Sequence, residues 1–164
     1  MGSDEKASRM STMNGLPAHI LLVHFIVVLA PLTGGLAALC AVWPAALRRL
    51  VWLVLASAVG VAALTPLTVS AGEWLRGHVG PTEALERHED LGETMVYFSI
   101  ALVVAAILLV VVHLRRERDK PLKPVLTAVV AVVVIAIAAA TAAQVYRIGH
   151  SGSESAWGSV MRNL

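Results

Sequence analysis

Six histidines are the residues of this 164-residue chain best suited to chemistry: His19, His24, His78, His88, His113 and His150. Imidazole is the commonest metal ligand near neutral pH, and the only side chain whose ordinary titration falls there. Six acids run close to them in sequence: Glu73, Glu83, Glu86, Glu89, Asp90 and Glu93. Carboxylates so placed can ligate a metal directly or orient a ligating imidazole. The spacing excludes the simplest motifs. His19 and His24 are five residues apart, roughly 140° around a helix, so they do not form the i,i+4 pair of a zinc helix. His88-Glu89 opens like HExxH, but Gly92 stands at the fifth position. No GxGxxG, P-loop or GxSxG occurs. Ser151, Ser153 and Ser155 flank His150, a common composition that is weak evidence for a hydrolase. Cys40 is the single cysteine and belongs to no CxxC or CxxCH motif, which argues against an internal disulfide, c-type haem attachment and thioredoxin-like chemistry. It reads as a small packing residue. Any metal or haem site must be assembled between elements.

Those elements are legible from where charge is missing. Four windows contain no Asp, Glu, Lys or Arg: Met10–Leu47, Leu50–Gly72, Thr94–Leu114 and Pro124–Tyr146, of 38, 23, 21 and 23 residues. A helix needs about 20 apolar residues to cross a hydrocarbon core, and each window supplies them. An unpaired backbone cannot cross lipid, and segments this long are not barrel strands. The fold class predicted is an all-α membrane protein, a four-transmembrane-helix bundle with short loops. Spans are expected at about 18–43, 48–71, 93–114 and 124–146. An outer loop is expected over 72–92, a basic inner loop over 115–123, and polar tails over 1–15 and 151–164. The first apolar run is too long for a signal peptide and no A-x-A site follows it. The loops leave no room for a second domain, and basic residues beside spans do not indicate nucleic-acid binding.

Charge also suggests an orientation. Connections one and three carry Arg48, Arg49, Arg115, Arg116, Arg118, Lys120 and Lys123. The opposite side holds both tails and the middle loop, with six Lys and Arg spread thinly and nine of the eleven acids. The positive-inside rule places connections one and three in the cytoplasm and both termini on the outer side. Pro17 is expected in the first turn of the first helix. Pro31, followed by Thr33, Gly34 and Gly35, is expected to kink that helix and admit a close neighbour. Ala56 and Gly60 give a small-xxx-small pair on the second helix, and Pro66 is expected to bend its outer end. Gly80-Pro81-Thr82 starts the third helix, whose first three turns should project beyond the bilayer.

Counting about 20 residues of helix up from each inner boundary puts the outer boundary near Leu22–Val23, Thr94 and Gln144. On that ruler His19, His88 and His150 lie roughly 5–10 Å above the boundary and His24 just below it. His78 caps the same end, and His113 alone is at the inner end. An ionisable group at membrane depth is a functional hypothesis by default, although an interfacial histidine can also simply be solvated, as expected for His113. On the third helix His88, Leu91, Gly92, Met95 and Ser99 share one face. On the first, His24 aligns with Pro31 and the Gly34-Gly35 pair. Histidines from facing helices beside small residues suit a bis-histidine b-type haem, with His24 and His88 as the axial pair. A zinc or copper site would instead draw on His19, His88, His150, Glu73 and Glu93. Tight packing alone also explains the stripes.

The stretches LPAHILLVHF, GEWL, ERHEDLG and YRIGHSGSESAW occur in that order from Leu16 to Trp157. In them the chain resembles the uncharacterised bacterial membrane family called domain of unknown function 2231. The resemblance implies a compact four-span domain of the bacterial inner membrane, with His19, His24, His88 and His150 as marked histidines and Glu73 as the acid before Trp74. Glu89-Asp90 stand after His88 where the family pattern is more apolar, which argues against a dry haem pocket there. The resemblance supplies no activity.

Three functions are open at this point. One is a multi-pass membrane protein that binds haem b or a transition metal at its outer histidines, for electron transfer or metal handling beside a membrane partner. A second is a cofactor-free structural or accessory subunit that uses Gly and Ala stripes to bind another membrane protein, with a homo-oligomer as a further partner option. The third is a metal-dependent membrane hydrolase with Glu73 or Glu89 as general base.

Overall fold

The computed structural model describes residues 12–13, 16–79 and 82–161. Apart from a two-residue antiparallel pairing of β1 (Thr12–Met13) with β2 (Leu16–Pro17), the described residues form four long helices. These are α1 (Ala18–Val42), α2 (Pro44–Val79), α3 (Glu83–Glu117) and α4 (Pro124–Met161). All four are long and apolar enough to cross a membrane. Each packs on the next, α4 closes on α1, and α1 also touches α3 across the bundle.

The side chains sort by volume and polarity in the way lipid demands. On α3 the buried stripe is Met95, Ser99, Leu102, Ala105, Ala106, Leu109 and Val112, at spacings of three and four. The opposite face, with Tyr97, Ile100, Val104 and Ile107, is exposed and as apolar as the stripe. A helix apolar all round has no water-facing side, so packing rather than hydrophobicity selects the core face. Gly34 marks one such contact: a Cβ there would stand 3.3 Å from Ala138 Cα. The expected close approach beside Pro31 is therefore between α1 and α4.

Four boundaries differ from the sequence reading. Pro17 precedes the first helical residue rather than occupying the first turn. Only Trp43 separates α1 from α2, with Pro44 at the opening position of α2, so Arg48 and Arg49 are helical residues rather than a connection. Most of the expected outer loop is helix: α2 runs on to Val79, and α3 begins at Glu83, where Gly80-Pro81-Thr82 announced its start. Thr82 caps α3, its hydroxyl accepting from Leu85 N–H at 3.3 Å, and Glu83 and Glu86 sit favourably in the first turn. The tail expected from residue 151 likewise continues α4 to Met161. At the other end Asp119 takes a left-handed conformation (φ 53°). Lys120 N–H reaches Arg115 O and Asp119 N–H reaches Arg116 O, closing α3 with a Schellman motif.

Helices of 36, 35 and 38 residues are about 52–57 Å long, well beyond the roughly 30 Å hydrocarbon core. The excess at the end that carries His19 and His88 forms a helical extension above the charge-free spans.

Candidate functional site

That extension holds a histidine pair. His19, in the first turn of α1, and His88, in the second turn of α3, face each other with ring centroids 6.4 Å apart and planes at 87°. Each ring is anchored on its own neighbour helix. His19 Nδ1 lies 2.9 Å from the carbonyl oxygen of Thr68 on α2. A carbonyl can only accept, so Nδ1 carries the proton. His88 Nδ1 lies 3.1 Å from Ser151 Oγ on α4, and that hydroxyl already donates to Ile148 O at 3.0 Å. It therefore accepts from His88 Nδ1–H. A ring that carries one proton therefore carries it on Nδ1 at both positions, which leaves the Nε2 lone pair of each as its remaining acceptor. An Nδ1–H bond to a carbonyl or hydroxyl is how metal-ligating histidines are commonly oriented.

Backbone holds the rings from behind. A Cβ added at Gly72 would stand 3.0 Å from His19 Cε1, and one at Gly152 would stand 3.0 Å from His88 Cε1. Each imidazole is thus pressed against a glycine of the helix that anchors it. One turn below, the buried Gln144 side chain spans from α4 to α3, donating to Leu91 O at 3.0 Å and to Thr94 Oγ1 at 2.7 Å.

The pair lines a cavity of about 360 Å³ between all four helices. Its apolar wall includes Val23 and Ile26 of α1, Val69 of α2, Leu85 of α3, and Val145 and Ile148 of α4. Glu73, Glu89 and Glu93 add carboxylates, and Met95 adds a thioether. Gly92, expected to leave room beside His88, also lines it, and a Cβ there would meet nothing within 4 Å.

Of the residues expected at a haem or metal site, His19, His88, Glu73 and Glu93 are brought to one cavity. His24 is on an exposed face of α1 and is not among the lining residues; the α1 histidine that meets His88 is His19. His150 is exposed, stacked on Tyr146 (centroids 6.2 Å apart, planes at 4°) and 3.8 Å from Glu154. Among the described residues no three His, Cys, Asp or Glu side chains stand together as a metal-binding group. The five-residue set His19, His88, His150, Glu73 and Glu93 therefore does not converge as a whole. The side chain of His78 lies outside the described residues. His113, at the far end, is edge-on to Trp52, with centroids 6.5 Å apart, and Cys40 is buried.

The sequence reading missed Thr68, Gly72, Ser151 and Gly152. Their signal was available in part: reading YRIGHSGSESAW as continued helix puts Tyr146 over His150 and Ser151 on the adjoining face.

The family model described as "Predicted membrane protein (DUF2231)" matches residues 15–163. The chain belongs to that family. No curated protein and no solved structure is similar enough to this chain to match it. As a DUF2231 member with four helices fit to span a bilayer, it is a multi-pass membrane protein.

Proposed function

We propose that this membrane protein uses the His19–His88 pair to bind haem b or a transition-metal ion, in electron transfer or metal handling. The observation that carries the reading is the matched anchoring of the two rings. Both Nδ1 atoms are engaged by protein acceptors, so the Nε2 lone pair of each ring is left for a Lewis acid. Two imidazoles joined in line to a single metal at about 2.0 Å each have centroids about 6 Å apart, close to the 6.4 Å observed. The excess of Lys and Arg beside the two opposite connections favours a site facing away from the cytoplasm of a bacterial inner membrane. A redox or other membrane-protein partner would then meet it at the projecting helix ends.

The test is an absorption spectrum of the detergent-purified chain, oxidised and then reduced with dithionite, followed by elemental analysis. A sharp α-band on reduction, or one equivalent of copper, zinc or iron lost in His88→Ala, is the expected result. Colourless, metal-free protein prepared with haem and metals supplied would overturn it. That outcome would favour the second reading, a cofactor-free accessory subunit, whose support is that both imidazoles already have protein partners.

A further inference from the structure

We infer that the occupant of the pocket, on the metal-binding reading above, is monovalent copper rather than zinc or haem. Ligand number separates copper from zinc. Zinc sites use three or four protein ligands, whereas the described residues bring no three His, Cys, Asp or Glu side chains together. Closed-shell Cu(I) accepts two nitrogen ligands in line, and tolerates a thioether as a third, because imidazole and methionine sulfur both suit it.

Sulfur points the same way. Met95 lines the same cavity and is 3% exposed. It stands seven residues, two turns, beyond His88 on the same face of α3, and helical side chains lean toward the N-terminus, here toward His88. A soft donor thereby shares the cavity with the pair.

Electrostatics supply the rest. The wall beside the pair is apolar, with Val23, Ile26 and Val145. The cost of removing an ion from water grows with the square of its charge, so a monovalent ion pays about a quarter of the divalent penalty. Carboxylates of Glu73, Glu89 and Glu93 also line the cavity, and no Lys or Arg is among its described lining residues. Such a lining attracts a cation and repels the two propionates of a haem.

The experiment is a competition titration of the full-length protein in nanodiscs. Cu(I), Zn(II) and haem are offered separately, the metals against chromogenic chelators under anaerobic conditions. One Cu(I) per chain is expected, held at least tenfold more weakly by His19→Ala and His88→Ala and a few-fold more weakly by Met95→Leu, a volume-conserving change. X-ray absorption of the copper form should report nitrogen neighbours whose number falls in His19→Ala. Zn(II) held as tightly as Cu(I), or haem retained while Cu(I) is not, would overturn the copper assignment and leave the metal-binding reading standing. Retention of none of the three would remove both. Should the histidine variants fail to elute as folded protein, the wild-type competition and the Met95→Leu comparison still decide the matter.

Discussion

Ser151 Oγ stands 3.1 Å from His88 Nδ1 and 3.0 Å from Ile148 O, so one hydroxyl both caps a carbonyl of its own helix and fixes the tautomer of a ring on another. His19 and the Thr68 carbonyl make the equivalent link between α1 and α2. The two histidines therefore join two helix pairs, α1–α2 and α3–α4, at one end of the bundle.

Removing that hydroxyl should be felt at the ring before it is felt by the fold. In Ser151→Ala the His88 Nδ1–H loses its hydroxyl acceptor and keeps only the Ile148 carbonyl, and nitrogen NMR of labelled histidine should report a shifted signal for one ring. Loss of such an orienting partner typically costs 10–100-fold in metal affinity, and a drop of about tenfold in metal retention is expected. An unchanged histidine spectrum would show that Ser151 does not accept from the ring.

Filling the glycine behind either ring should displace the ring. A Cβ at Gly72 or Gly152 comes to 3.0 Å from an imidazole carbon, and overpacking of this kind costs about 1–3 kcal/mol. Gly72→Ala and Gly152→Ala should lower the thermal midpoint in detergent and weaken ligand retention together. Gly92→Ala, whose Cβ meets nothing within 4 Å, should leave the midpoint unchanged.

The contact of α1 with α4 offers a comparison free of the site. At Gly34 the obstructing atom is backbone, Ala138 Cα at 3.3 Å, whereas a Cβ at the adjacent Gly35 meets nothing within 4 Å. Gly34→Ala should destabilise the protein by about 1–3 kcal/mol, Gly35→Ala should not, and unfolding midpoints of the two variants measure the difference.

Orientation can be tested at the top of α3. In a Cys40→Ala background, a cysteine replacing the exposed Glu83 should react with an impermeant thiol reagent on intact cells, as the charge distribution of the connections implies. Labelling confined to lysed cells would put the histidine pair on the cytoplasmic side.

Much of this was written in the chain. Spans follow from missing charge because lipid penalises it so strongly, and the placing of His19 and His88 at one end of the bundle follows from counting helical residues between boundaries. Which α1 histidine faces inward was harder to read. His19 and His24 both sit in apolar company, and an all-apolar helix has no polar face to fix its rotation. Rotation is decided instead by contacts such as Gly34 on Ala138, which involve residues distant in sequence. At 72–79 and beyond residue 150 the extension was misread as loop or tail because glycines and charges usually mark turns, whereas Gly80-Pro81-Thr82 did announce the projecting start of α3. Here 72–79, 83–93 and 147–161 continue the helices, supported laterally by Gln144 and Ser151.

The single residue between α1 and α2 has a consequence for biogenesis. With Trp43 as the entire linker, the first two spans can never be far apart at that end, and neither can settle in lipid at a depth independent of the other. They must enter the bilayer as one hairpin, and the Thr68 carbonyl is delivered to His19 in the same step. Half of the histidine pair is thereby oriented by the first two helices alone.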